Sequence, residues 1–250
     1  MQQNIIFAGV GGQGILSIAR AISLAAVRRD LYLKQAEVHG MSQRGGAVQS
    51  HLRIADHELY SDLIPAGGAN IVLSVEPLEA LRYVHFLSES GVMIVSTNAF
   101  MNIENYPPIE QVLDQIATFP PHVLIDADRL AKAAGSILAA NIVTLGAASP
   151  FLELEPGELE DAVAEMFAAK GDKVVQVNRR AFKLGRNAAA AYRDGLQRGG
   201  TSRMPAASGS RLTACRSVGT VAPAYSRMVG IRSMLCTGVV TTWPGAMRPG

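Results

Sequence analysis

Apolar and polar positions along this chain follow two periods, and the alternation between them predicts the elements. Asn4–Gly9 is a short apolar run ending in glycine, with the length and β-branching of a buried parallel strand. Beyond Gly14, Ile15, Ala19, Ile22 and Ala26 recur at helical spacing, which predicts a helix to about Arg29. Leu31–Glu37 and Ala47–Ile54 read as further strands, and Glu58–Tyr60 as a short one beside them. Apolar runs at Ile71–Val75, Val92–Ser96 and His122–Asp126 extend the series. A helix from Pro77 to Leu87 and another at Ile109–Thr118 separate them, proline suiting the first helical turn. Helices then dominate: Ala127–Ala134, Ile137–Ala148, Pro156–Ala169 and Val174 to about Leu196. Strands alternating with helices imply an α/β fold: a three-layer α/β/α sandwich, mainly parallel, with a Rossmann-like start.

Two glycine-containing segments carry the candidate chemistry. Gly9, Gly11 and Gly14 satisfy G-x-G-x-x-G between a strand and a helix, where backbone amides can meet an anion. A purely structural reading, tight strand–helix packing, competes with this. Gly12 and Gln13 favour contact with an anion or a partner's backbone, since glycine at four of six positions exceeds what packing needs. Glu37 lies 23 positions after Gly14, about where a dinucleotide-binding fold keeps its ribose carboxylate. The second segment, Glu37-Val38-His39-Gly40-Met41-Ser42-Gln43-Arg44-Gly45-Gly46, leaves the carboxyl end of the next strand, hence the same sheet edge. Glu37, His39, Ser42, Gln43, Arg44 and Gly45 are therefore expected beside Gly11–Gly14. Arg44 can grip a carboxylate or phosphate with two bonds, or pair with Glu37 or a partner's acid. His39 is a proton donor or acceptor, or a structural histidine. Elsewhere Glu76 is read as a site carboxylate or a helix cap, Asp126 as a metal ligand or, rather, a helix cap, and Asn141 as a bond to backbone without chemistry.

Composition splits the chain in two. The 23 basic residues barely exceed the 21 acidic ones. Seven of the basic residues are arginines from Arg198 onward, where no acidic residue or lysine occurs. The body, residues 1–197, is thus mildly acidic and carries no basic face for nucleic acid. The tail, 198–250, rich in Gly, Pro, Ser, Thr and Arg, reads as a disordered basic segment or as one translated out of frame. Both cysteines, Cys215 and Cys236, fall in the tail, so the body cannot hold a thiolate-ligated cluster of its own. No signal peptide or membrane-length apolar run is seen, and a cytoplasmic location is expected.

Gly9–Gly14 followed by Glu37–Gly46 resembles the gamma domain of pyruvate and 2-oxoacid:ferredoxin oxidoreductases, most closely the beta subunits of the indolepyruvate type. Ser74–Arg82, Asn141–Ala147 and Asn178–Gly185 add to the likeness, which covers about residues 4–196. The resemblance implies conversion of a 2-oxoacid, coenzyme A and oxidised ferredoxin to acyl-CoA, CO2 and reduced ferredoxin. It implies thiamine diphosphate, Mg2+ and 4Fe-4S clusters in a larger alpha subunit, because this body lacks cysteine and any Gly-Asp-Gly signature with paired asparagines. The chain alone is then expected to bind none of these cofactors and to be inactive. Two other readings stay open: a free-standing NAD-binding oxidoreductase, resting on the glycine motif with Glu37, and a non-catalytic assembly subunit.

Overall fold

The first apolar run becomes the strand about which the sheet is built. A computed structural model describes residues 1–39, 45–101, 103–119, 121–197 and 240–242 of the chain. Strand β1 (Gln2–Val10) leads through helix α1 (Ile15–Val27) to β2 (Tyr32–His39) and β3 (Ala47–Ala55). Strand β4 (Ala69–Ser74), helix α2 (Pro77–Arg82), strand β5 (Leu87–Ser96), helix α3 (Ile109–Ile116) and strand β6 (His122–Ile125) follow. Helices α4 (Ala127–Ala134), α5 (Ala140–Ala148), α6 (Pro156–Phe167) and α7 (Asp172–Gln197) come next, and a short strand β7 (Val240–Thr242) ends the described residues.

The sheet order is β6-β5-β4-β1-β3-β2-β7. Strands β1, β2, β4, β5 and β6 run one way, and β3 and β7 run against them. The expected mainly parallel sandwich is therefore present, with one feature the apolar pattern did not show. Helix α1 carries the chain past one position, and β3 folds back into the gap between β1 and β2.

Side chains alternate across the sheet, so the central strands β1, β4 and β5 serve two cores. Ile5, Phe7, Ile71, Leu73 and Ile94 meet α1 and the layer of α4–α7 on one face. Ile6, Val72, Met93 and Val95 meet α2 and α3 on the other. A fully buried aliphatic or aromatic side chain contributes about 1.5–3 kcal/mol, so these two sets hold the layers together. His51 sits in the second core of apolar residues, edge-on to the Phe86 ring with centroids 5.2 Å apart. Burial lowers its pKa to about 4, and its Nδ1 accepts the Ile64 N–H at 3.1 Å. It is a neutral core residue.

Three expectations change in detail. Glu58–Tyr60 joins no strand. The helix from Pro77 stops at Arg82, because Val84–Phe86 forms a tight 3-10 turn that leads directly into β5. Strand β5 starts at Leu87 rather than Val92, with a register shift where Gly91 passes the Ala69 carbonyl oxygen. A Cβ at Gly91 would lie 2.7 Å from that oxygen, so the close approach requires glycine. Of the tail, residues 240–242 pair with the free edge of β2, and 198–239 and 243–250 lie outside the described residues.

Candidate functional site

The carboxyl ends of β1 and β4 mark a topological switch, the place where open α/β sheets bind ligands. The chain leaves β1 over one face of the sheet through α1 and leaves β4 over the other through α2. Such a switch of direction opens a gap at the strand ends. The first glycine loop lies there.

Each of its residues has a separate physical role. Gly9 is the packing glycine: a Cβ would fall 2.5 Å from Val75 Cγ2 and 2.8 Å from Ile15 Cδ1. Gly12, at φ +101°, supplies a backbone shape that other residues resist, and among the described residues a Cβ there would meet nothing within 4 Å. Gln13 folds back, its Oε1 accepting the Val10 N–H at 2.7 Å, which shapes the turn after β1. Gly14, at φ +80°, caps α1 without a side chain. The Asn141 amide Nδ2 donates to its carbonyl oxygen at 3.2 Å.

The second segment meets the first directly. Gly11 N–H donates to the Gly46 carbonyl at 2.8 Å, and Gly45 N–H donates to the Gly11 carbonyl at 3.3 Å. These two bonds close the β1–β3 ladder beyond Val10 and Ala47 with a bulge, in which Gly45 and Gly46 together face Gly11. They tie both loops to a single rim. Gly45 has φ +78°, and among the described residues a Cβ on it would meet nothing within 4 Å. His39 closes the β2–β3 pairing opposite Val48 through its backbone. Ser42, Gln43 and Arg44, with Gly40 and Met41, lie outside the described residues, as does the His39 side chain.

Glu37 stands elsewhere. Strand β3 separates it from β1, so its strand lies two spacings away, roughly 10 Å, where a dinucleotide-binding fold has its acidic strand adjacent. Its Oε1 accepts from Gln35 Nε2 at 2.8 Å on the face that packs α1. This geometry does not bring a ribose carboxylate to the glycine loop.

Glu76, just after β4, is buried and fully engaged. Its Oε2 accepts the Glu79 N–H at 2.8 Å, which makes it the N-cap of α2. Its Oε1 receives the Tyr106 hydroxyl and, at 3.4 Å, the Phe100 N–H. Burial, reinforced by the Glu76 carboxylate, pushes the Tyr106 phenol well above its ordinary pKa and keeps it a donor. Burial also raises the pKa of Glu79, opposed by Arg82, whose Nε lies 3.0 Å from its Oε2. Asp126 caps α4, accepting the Arg129 N–H at 3.0 Å and Asn98 Nδ2 at 3.1 Å. Tyr106 and the Asn141 link to Gly14 were invisible to the motif reading, since each acts across a long stretch of chain.

Among the described residues, no three His, Cys, Asp or Glu come together as metal ligands. With no cysteine before Cys215, these residues do not fit an iron–sulfur cluster held by thiolates. No helix among them is long and apolar enough to cross a membrane.

Comparison with known proteins agrees with the loops. The pattern of the family described as pyruvate ferredoxin/flavodoxin oxidoreductase matches residues 4–188. The indolepyruvate oxidoreductase subunit IorB of Archaeoglobus fulgidus is 36% identical over 198 residues, covering 76% of this chain and 96% of that one. A keto/oxoacid ferredoxin oxidoreductase gamma subunit from Geobacter sulfurreducens superposes with a TM-score of 0.56 at 26% identity, covering 76% of this chain and 99% of that one. A 2-oxoglutarate:ferredoxin oxidoreductase from Magnetococcus marinus shares the fold, with a TM-score of 0.62 at 21% identity, over 76% of this chain and 31% of that longer one. The chain belongs to the pyruvate ferredoxin/flavodoxin oxidoreductase family. It is a subunit of an oxidoreductase, as the resemblance of its two loops implies.

Proposed function

We propose that this chain is the gamma-type (beta) subunit of an indolepyruvate-type 2-oxoacid:ferredoxin oxidoreductase, acting in the cytoplasm. The reaction takes a 2-oxoacid, coenzyme A and two oxidised ferredoxins to acyl-CoA, CO2, a proton and two reduced ferredoxins. Thiamine diphosphate, Mg2+ and 4Fe-4S clusters are assigned to a larger partner subunit, where they supply decarboxylation and electron transfer. Support for this division comes from the absence of cysteine in residues 1–197 and from relatives that are themselves subunits. We take residues 1–197 as the functional domain, a reading supported by the family match ending at residue 188.

One observation carries the site: the Gly11–Gly45/Gly46 hydrogen-bonded pair, which makes the two loops one surface. Gly11 and Gly45 belong to that surface, and we assign to it His39, Ser42, Gln43 and Arg44, which precede Gly45 in the sequence. Backbone amides and a guanidinium suit an anionic group, either a CoA phosphate or a 2-oxoacid carboxylate. The role of this chain is then to bind and orient, closing over the partner's reaction centre and excluding water.

The test is reconstitution. Mixed with the larger subunit, the chain should give ferredoxin reduction that requires both 2-oxoacid and CoA, and neither subunit should do so alone. Arg44→Ala should lower kcat/KM of the assembled enzyme about 10- to 100-fold, the usual loss for a charge-assisted contact, and leave the melting temperature of this subunit unchanged. Unaltered kinetics for both substrates, together with micromolar NAD binding by the isolated chain, would overturn the reading.

A further inference from the structure

Resting on that reading of the rim, we propose that Asn141 is the positioning residue of the first glycine loop. Two bonds orient its side-chain amide. Oδ1 accepts the Ile142 N–H at 2.9 Å in its own helix, which turns Nδ2 toward the loop, where it donates to the Gly14 carbonyl at 3.2 Å. Asn141 and Gly14 are a matched pair. A Cβ on Gly14 would fall 2.5 Å from Nδ2, so the glycine leaves the space that the amide fills.

The far end of this link is rigid. Asn141 lies in the first turn of α5, and α5 packs backbone-to-backbone on α7 at Gly146 and Gly185. Gly14, by contrast, caps α1 with no side chain of its own, and its carbonyl also accepts from Ser17 N–H at 3.1 Å. The start of α1 is thus tied to the helical layer in addition to the turn's own bond from the Gln13 N–H to the Val10 carbonyl at 3.1 Å. Since Gly11 is already paired with Gly45 and Gly46, Asn141 fixes the other end of the Gly11–Gly14 segment. Without its donor, Gly14 at the helix start loses its tie to α5, and an anion bound there is held less well. The chemistry on the partner is untouched, so the loss falls on substrate affinity rather than turnover.

The experiment uses the full chain assembled with its larger partner, in two variants. Asn141→Ala removes the donor and leaves a gap, whereas Asn141→Leu removes it while filling nearly the same space with a side chain that cannot hydrogen-bond. KM for CoA, KM for the 2-oxoacid, kcat and melting temperature are measured for each. The expected result is a rise of about fivefold or more in one KM, as for loss of one hydrogen bond, with kcat within twofold. A rise in the CoA arm identifies a phosphate at the loop, and a rise in the 2-oxoacid arm a carboxylate. If both KM values stay within twofold in both variants, the inference fails. A parallel Arg44→Ala enzyme separates the two levels. If it alone raises KM, only the role of Asn141 is wrong. If it is also silent, the assignment of the rim falls with it.

Discussion

Replacing Gly185 by alanine is expected to destabilise this chain by about 3 kcal/mol, and replacing it by leucine to leave no folded protein. The reason is an unusually close crossing of α5 and α7. A Cβ on Gly185 would lie 1.9 Å from the Val143 carbonyl oxygen and 3.1 Å from the Ala147 amide nitrogen. On the opposite helix, a Cβ on Gly146 would lie 2.1 Å from the Phe182 carbonyl oxygen. These neighbours are backbone, so neither can rotate aside, and the two helices must separate. Alanine favours a helix over glycine by about 1 kcal/mol, which offsets only part of the overpacking. For a chain of this size the loss corresponds to a fall of roughly 6–12 °C in the unfolding midpoint. Thermal and denaturant unfolding of the full chain measure it. A midpoint equal to that of the parent would show that the helices do not meet so closely.

Replacing Gly12 by asparagine is expected to leave the chain folded and to reduce kcat/KM of the assembled enzyme about 100-fold. Gly12 holds φ +101° on the rim. The backbone strain costs about 1–3 kcal/mol, within the margin of an ordinary domain. Among the described residues, nothing crowds the added Cβ. It projects into the space that the partner and the bound anion are proposed to occupy. Contacts between reacting groups tolerate little displacement, so the loss appears in activity rather than in stability. Activity within threefold of the parent would mean that nothing approaches the rim at Gly12.

The meeting of the two loops is legible in the sequence. Strands β1 and β2 each end in a glycine-bearing segment, and strands that point the same way end at one edge. Helical spacing likewise announced α1 and α7, because each buries a single stripe over many turns. The order of the strands was not legible. An alternating run such as Ala47–Ala55 says that one face is buried, not which neighbours it pairs with, so the insertion of β3 beside β1 went unseen. That insertion is what displaces Glu37 from the dinucleotide position. Equally hidden were the contacts that hold the rim from afar: Asn141 to Gly14, Val75 against Gly9, and Tyr106 on Glu76. Each joins positions separated by many residues, and no local pattern records such a pairing. Arg44, the most suggestive side chain in the sequence, follows the last described residue of β2 and precedes the Gly45–Gly11 bond by one position.

Amide hydrogen exchange, compared between the free chain and the assembled enzyme, tests the central claim most directly: one rim, made of both loops, is the face this subunit turns to its partner. Assembly should slow exchange at Gly12, Gly14 and Gly45 together, leaving Asp30 and Asp56 at the opposite ends of the strands unchanged. Slowing at Asp30 and Asp56, with the glycine amides still exchanging as in the free chain, would contradict it.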